Sequence, residues 1–472
     1  MGGLFGAILE NDCVLDVFYG TDYHSHLGTR RGGMAVKNRD RIVKSIKKIE
    51  NNYFRTKLGP DIESFHGDSG IGVISDNDAQ PLILGSHLGT FGIATAGRIN
   101  NLEDIVKTAF RHKIHFSEAG GGAVNPTELA GMLISQKDSF EEGIIHAREI
   151  IKGSCSFLLL TSDGIIAARD KLGRTPLIIG RKPQGYAVAS ETTAFFNLGY
   201  EIDYYLGPGE VVRISRDGFQ QLIAPGDKMQ VCAFLWIYYG YPASSYEGIN
   251  VEAVRYRCGQ KLGESDDTPV DMVSGIPDSG VGHAIGYANT RRIQYIRPYV
   301  KYTPTWPRSF MPQNQSDRDL VAKMKLIPVK DLIAGNRLLF CDDSIVRGTQ
   351  LKDNVRHLFH AGAKEIHMRI ACPALIHPCL FLNFSTSRSN LDLVGRKAIH
   401  ELEDVGADVM IENHMDAYAF QDSEKYTAMV ENIRLKLGLT SLRFQRMADM
   451  VAAIGLPMEK LCTHCWDGSS YY

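Results

Sequence analysis

The sequence predicts two fold classes in succession: an α+β sandwich of stacked sheets with helices outside over residues 1–225, then an α/β domain on a parallel sheet over 226–472. Three observations carry this. A chain of 472 residues is longer than one hydrophobic core usually organises, so two or three domains are expected. The first half strings together short apolar runs broken by Gly, Asp or Pro, whereas the second alternates strand-length and helix-length segments. The stretch Ala224-Pro225-Gly226-Asp227 is the strongest breaker between the two patterns.

Within the first half, Ser156–Thr161, Gly164–Arg169 and Gly185–Ser190 have strand length and are rich in branched or aromatic residues, which suits stacked sheets. Within the second, Val270–Ser274 reads as a strand, Gly275–Gly280 as a turn and Val281–Thr290 as a helix. Arg337–Cys341 is a further strand, followed by a loop, a helix over 350–361 stopped by Gly362, and a strand at Glu365–Ala371. Strand, helix, strand at this spacing is a βαβ unit and requires a parallel sheet, whose ligands sit at the carboxyl ends of its strands. The aromatic run Trp236–Tyr241 reads as a core strand beside Cys232.

A composition of 44% hydrophobic and 22% charged residues excludes a disordered or fibrous chain. Lys plus Arg (52) nearly balances Asp plus Glu (54), so no basic excess points to nucleic acid. The longest purely apolar run, Val231–Tyr239, is too short to span a bilayer. No basic region precedes the apolar N-terminal residues, and Gly6 breaks the myristoylation pattern. Nine cysteines are too few for a disulfide framework. A cytoplasmic protein without membrane attachment is the expectation.

The segment 338–349 reads Leu-Leu-Phe-Cys-Asp-Asp-Ser-Ile-Val-Arg-Gly-Thr. Two carboxylates end an apolar strand, and a hydroxyl-, Arg- and Gly-containing loop opens a helix. Backbone N–H groups at a helix start attract phosphate, and Ser344 and Thr349 add donors. Asp342 and Asp343 suit sugar hydroxyls or a hydrated Mg2+. The chemistry points to a phosphorylated sugar.

The whole string resembles the 5-phosphoribosyl-1-pyrophosphate (PRPP) signature of type I phosphoribosyltransferases, and Ser274–Gly280 resembles their pyrophosphate loop. Tyr19–Gly28, Lys152–Phe157, Ala189–Phe195, Gly207–Val212 and Ile376–Cys379 are similar, in order, to segments of the amidophosphoribosyltransferases. The resemblance implies an N-terminal-nucleophile (Ntn) αββα glutaminase domain of the type 2 glutamine amidotransferases. It also implies a transferase domain that adds the released ammonia to PRPP, giving phosphoribosylamine and pyrophosphate in the first committed step of purine synthesis.

The glutaminase motifs depart from the family pattern. Gly2 stands at the position of the cysteine nucleophile, and glycine offers neither thiolate nor hydroxyl. Thr95-Ala96-Gly97-Arg98 replaces His-Asn-Gly-Asn, putting Ala96 at the oxyanion position. Asn125-Pro126-Thr127-Glu128 replaces Ser-Asp-Thr-Glu, putting Pro126 where an Asp holds glutamine. His26-Leu27-Gly28-Thr29 replaces His-Arg-Gly-Gln, and a further family Arg falls near Val73. Cys13 is internal and lacks the free amine, so it reads as a small core residue. An inactive glutaminase site is the expectation.

The transferase motifs persist. The resemblance assigns PRPP binding to Ser279, Lys325, Asp342, Asp343, Ser344, Ile345, Val346, Arg347, Gly348 and Thr349, with Gln350 in place of a usual Thr. It assigns Mg2+ to Ser279, Asp342 and Asp343. It assigns a mobile flap to Lys301–Phe310, in which Lys301 and Arg308 match and Pro304 and Pro307 are new. Cys232, Cys379, Cys462 and Cys465 match the ligands of a [4Fe–4S] cluster carried by some members, although four thiolates suit zinc as well. Cys155, Cys258, Cys341 and Cys372 read as buried small residues. The leading expectation is a homo-oligomeric enzyme, dimer or tetramer, taking ammonia from solution, an ammonia-delivering partner or an active paralogue. The rivals are a non-catalytic PRPP- or nucleotide-binding regulatory paralogue and a transferase with another amine acceptor.

Overall fold

Residues 2–39, 41–50, 52–76, 78–117, 119–120, 123–301, 326–382, 392–404 and 415–469 are described in the structure, a computed structural model. The first half forms two facing antiparallel sheets. One has seven strands in the order Glu201–Tyr205, Ile178–Lys182, Gly185–Ala189, Gly2–Leu9, Ser69–Ser75, Arg31–Asn38 and Arg41–Lys48. The other has six, in the order Phe219–Ile223, Val211–Ile214, Gly164–Ala168, Gly153–Thr161, Gly89–Ile99 and Leu82–Ser86. Strand side chains alternate between faces. Leu4 and Ile8 therefore enter the space between the sheets with Leu158 and Leu160. Phe5, Ala7 and Leu9 turn outward against the helix Val14–Asp22. Helices Pro126–Ile134 and Phe140–Ile150 cover the opposite face through Leu129, Leu133 and Ile144. The four layers are the αββα arrangement expected of an Ntn-type domain.

The sandwich's last strand ends at Ile223, and the next, Val231–Cys232, pairs in parallel with Leu461–Cys462. Between them lies a four-stranded parallel sheet in the order Met272–Gly275, Arg337–Asp342, Glu365–Ile370 and Ser441–Phe444. Its first three strands start within two residues of the sequence expectation, and the fourth, Ser441–Phe444, was not among the expected elements. Just before the first strand, Asp271 accepts from the Arg337 backbone N–H at 2.8 Å and from its guanidinium.

One expectation is corrected. Trp236–Tyr241 is not a strand: Leu235–Tyr239 is a helical turn. The carbonyls of Trp236, Tyr238 and Gly240 converge on the buried Arg255 guanidinium, with distances of 3.1, 2.8 and 2.9 Å. A sheet would hold those carbonyls apart, so one tertiary cation overrides the β propensity of the aromatics. Trp236 and Ile237 are nevertheless core, as expected. Among the described residues no helix is long and apolar enough to cross a membrane.

The parallel sheet is pinned by an ion pair buried on both sides, between Arg369 on the third strand and Asp266. Arg369 also donates to Thr268 Oγ1 at 2.7 Å and Ser441 Oγ at 3.0 Å, and Tyr287 donates to Asp266 at 2.8 Å. Burial favours the neutral acid, but Arg369 overrides it and holds the Asp266 carboxyl well below the usual range. Removing one member of such a pair leaves an uncompensated buried charge. Asp266→Ala is therefore expected to lower stability by about 3–5 kcal/mol, read from urea unfolding. A loss below about 1 kcal/mol would mean that water compensates Arg369.

Candidate active site

The site forms where the first two parallel strands end. The strand Arg337–Asp342 delivers Asp342 and Asp343 to the sheet's carboxyl edge, and Gly348 at φ +75° turns the chain into the helix Thr349–His360. The neighbouring loop after Gly275 is pressed against this strand: the Ile276 N–H donates to Cys341 O at 2.9 Å. A Cβ on Gly280 would stand 2.3 Å from that same carbonyl, so the close approach requires glycine there. The contact brings Ser279 to the carboxylates, and its hydroxyl hydrogen-bonds both Asp342 and Asp343. The Asp343 N–H donates to Asp342 Oδ1 at 2.9 Å, and Ser344 Oγ–H donates to Asp343. Burial and then mutual repulsion push the Asp342 carboxyl well above the usual range, and burial raises Asp343. Ile345 is buried and Val346 accepts from Val394 N–H at 2.7 Å, so these two loop residues fix the loop. Arg347 is exposed and pairs with Asp392 at 3.3 Å.

Lys301 reaches this loop from outside and pairs with Asp278. Arg308 and the rest of the expected flap after Lys301 lie outside the described residues, as does Lys325. Two neighbours of the site have no motif of their own: Asp278, legible only as part of the loop string, and Arg255, whose guanidinium lies in electrostatic reach of Asp343. Nothing in the sequence around Arg255 signals it.

The altered glutaminase positions also come together. Gly2 opens a central strand, and a Cβ built on it would stand 2.9 Å from the Ile74 carbonyl oxygen and 3.8 Å from the Ala96 Cβ. Thr95 and Thr127, from two different altered motifs, share a hydrogen bond of 2.8 Å. Gln80 Oε1 accepts from the Thr95 N–H at 2.7 Å and from Thr127 Oγ1 at 3.2 Å, and Gln80 Nε2 donates to Thr95 O at 3.0 Å. Asn125 caps the helix that begins with Pro126, accepting from the Thr127 N–H at 2.9 Å. Leu27 is buried among the apolar residues of the second half, and Tyr239 donates to its carbonyl at 3.2 Å. Cys13 lies beyond the far end of the strand that Gly2 begins, roughly 20 Å away at the rise of an extended chain. It is buried, and burial pushes its thiol well up.

The two halves meet around Glu191, which is 1% exposed. Its carboxylate lies 3.0 Å from His26 Nε2 and accepts from Ser244 Oγ at 3.2 Å and from the Tyr246 hydroxyl. The Glu191 N–H donates to His24 Nε2 at 3.2 Å, leaving His24 Nδ1–H to donate to Gly20 O at 2.7 Å. Burial pushes the His24 imidazole down to about 4, so it is neutral in this tautomer.

Cys232, Cys379, Cys462 and Cys465 line one small pocket with Arg174, Phe234, Phe381, Leu382, His464 and Trp466. Backbone N–H groups point at three of the sulfurs: Leu382 at Cys379 (3.3 Å), Phe234 and Leu235 at Cys232, and His464 at Cys462. Cys155, Cys258, Cys341 and Cys372 are buried elsewhere, as expected.

The raised carboxyls have a consequence for stability. Their native values lie above the unfolded one, so they favour folding fully in acid and lose that contribution as pH rises through the native values. Asp342→Asn removes the repulsion. The variant is expected to melt above the parent at pH 7, with the difference shrinking toward pH 4, read from Tm in the absence of substrate. An unchanged or lower Tm at pH 7 would mean that the pair is already neutralised.

Comparison with known proteins agrees with this architecture. A family model described as a glutamine amidotransferase domain matches residues 68–197. The amidophosphoribosyltransferase of Archaeoglobus fulgidus is 34% identical over 336 residues, covering 70% of this chain and 71% of that one. The chloroplastic amidophosphoribosyltransferase 2 of Arabidopsis thaliana is 32% identical over 401 residues, covering 81% of this chain and 69% of the relative. The solved glutamine PRPP amidotransferase of Bacillus subtilis, complexed with ADP and GMP, superposes with a TM-score of 0.85 at 25% identity, covering 99% of this chain and 97% of that one. With a parallel sheet ending in an Asp-Asp loop behind an αββα sandwich, and relatives of that identity and coverage, the chain belongs to the amidophosphoribosyltransferase family.

Proposed function

We propose that the protein is an ammonia-dependent amidophosphoribosyltransferase, forming phosphoribosylamine and pyrophosphate from PRPP without cleaving glutamine. One juxtaposition carries this reading: an intact Asp342–Asp343–Ser279 cradle in a chain whose glutaminase strand begins with Gly2 beside Ala96. The 5′-phosphate of PRPP would lie at the start of the helix Thr349–His360, where N–H groups and the helix dipole favour an anion. Asp342 and Asp343 would accept from the ribose hydroxyls. Lys301, on leaving Asp278, would meet the pyrophosphate as it departs. Ammonia attacks C1, the C1–O bond to pyrophosphate breaks, and the extra proton on nitrogen goes to solvent or to the departing phosphate.

Ser279, Asp342 and Asp343 offer only oxygen donors, which fits Mg2+. When bound, that ion neutralises charge on the leaving pyrophosphate. Cys232, Cys379, Cys462 and Cys465 line one pocket, and four thiolates suit a [4Fe–4S] cluster or zinc, the family resemblance favouring the cluster. Peptide N–H groups directed at sulfur are the outer-shell bonds such a thiolate site uses.

The deciding experiment is pyrophosphate release from PRPP by anaerobically purified protein, with ammonium and glutamine compared. Release with ammonium alone supports the reading. Release with glutamine overturns the inactive glutaminase, and release with neither, despite PRPP binding, moves the protein to a regulatory role or another amine acceptor. Asp342→Asn is expected to slow the ammonium reaction roughly 100- to 1,000-fold, the usual cost of one lost preorganised electrostatic contact. Gly2→Cys is expected to leave glutamine unused, because Ala96 still supplies no oxyanion donor and the new Cβ crowds the Ile74 carbonyl.

A further inference from the structure

The four cysteines reach their pocket from three stretches of the transferase half. Cys232 and Cys462 sit on paired parallel strands, where the Ala233 N–H donates to Cys462 O at 3.3 Å. Cys465 O accepts from the Ile376 and His377 N–H groups at 3.2 and 3.1 Å, and the Cys465 thiol is hydrogen-bonded to that of Cys379. The glutaminase-like half adds bonds of its own. Arg174 O accepts from the Cys232 N–H at 3.3 Å. Arg98 Nη1 donates to Cys379 O at 3.2 Å, and Asn100 Nδ2 donates to Leu380 O at 2.7 Å.

Arg98 and Asn100 act on the backbone of Cys379 itself. A peptide group is planar, so fixing the carbonyls of two successive residues fixes the plane between them, and with it the backbone torsion that aims the Cys379 Cβ and sulfur. The two donors stand on a stiff base. Arg98 pairs with Ser154 in the six-stranded sheet, and the Asn100 N–H donates to Lys152 O at 2.7 Å. The Asn101 side chain donates to Ile150 O and accepts from the Lys152 N–H, both at 2.8 Å. A Cβ on Gly153 (φ +136°) would stand 2.0 Å from Arg98 O, so the neighbouring strand closes tightly on this end. Arg98 also ends an altered motif. The family pattern has Asn there, and Arg carries a charged donor several bonds further from the backbone. Outer-shell hydrogen bonds orient metal ligands, and losing one typically costs about 10- to 100-fold in affinity.

We propose that Arg98 and Asn100 are positioning residues for Cys379, so that the glutaminase-like half sets how firmly the transferase half's four-thiolate site retains its metal. The altered oxyanion motif thereby holds a loop of the neighbouring half instead of serving glutamine cleavage. This rests on the four-thiolate reading above, whether the occupant is a [4Fe–4S] cluster or zinc.

The test uses the full chain, purified anaerobically as wild type, Arg98→Ala, Arg98→Lys, Asn100→Ala and the double variant Arg98→Ala with Asn100→Ala. A control, Lys37→Ala, removes a side chain that donates to Thr161 O at 3.0 Å elsewhere in the sandwich. Iron, sulfide and zinc content and the rate of metal transfer to a chelator are measured. Wild type is expected to contain metal, either iron with sulfide or zinc. Each single Ala variant should lose it several-fold faster, and the double variant about tenfold faster or more. Arg98→Lys keeps a charged donor and should stay within about threefold of wild type. Lys37→Ala should match wild type. Where the double variant does not fold, the single variants and Arg98→Lys carry the same comparison. Wild-type release rates in the metal-loaded Ala variants overturn the positioning role and leave the metal site standing. Equally fast release from Lys37→Ala also overturns it, because general loosening of the sandwich is then the cause. Wild type without metal overturns the thiolate site itself.

Discussion

A carboxylate buried between two domains must find its partners there, and Glu191 finds them on both sides: His26 from the sandwich, Ser244 and Tyr246 from the transferase half. Stranding any of them would leave charge or polar groups unpaired in a dry interface. Leu27 adds an apolar plug from the sandwich into the neighbouring core. Together these contacts make the first 225 residues part of the transferase's structure rather than an appendage. The sandwich's inner surface thus finishes its neighbour's.

Within the sandwich, the altered motifs have not been left as gaps. Gln80, Thr95 and Thr127 satisfy one another's buried hydrogen-bonding groups, and Asn125 caps its helix. Leu27, where the family motif has an Arg, packs into the neighbouring apolar core instead. Polar networks in low dielectric are stable when complete and costly when partial. The Gln80–Thr95–Thr127 cluster thus has the character of an ordinary satisfied core.

Legibility in the sequence followed contiguity. The Asp-Asp loop and its strand and helix could be read directly because twelve consecutive residues carry the chemistry, and the parallel strands followed from their spacing. Ser279 could be read only through its resemblance to a known loop. Arg255, Arg174 and Glu191 act through partners tens of residues away, and no local pattern marks them. The aromatic turn Leu235–Tyr239 was misread for the same reason: Arg255, sixteen residues beyond its end, gathers its carbonyls. Relatives and fold neighbours establish the family, while the chemistry at Gly2 depends on a few side chains that overall similarity does not weigh.

The pairing of Val231–Cys232 with Leu461–Cys462 has a bearing on synthesis. A ribosome exposes residues 1–225 early, and the antiparallel sandwich draws on nothing later in the chain for its sheets. The transferase half is different. Its first strand waits for a partner made more than two hundred residues afterwards, and the pocket lined by the four cysteines is incomplete until Cys465 has left the exit tunnel. Domains generally fold as units in the order of their synthesis. The sandwich is thus positioned to act as a finished template, already presenting Arg98, Arg174 and Glu191, against which the later-emerging half assembles.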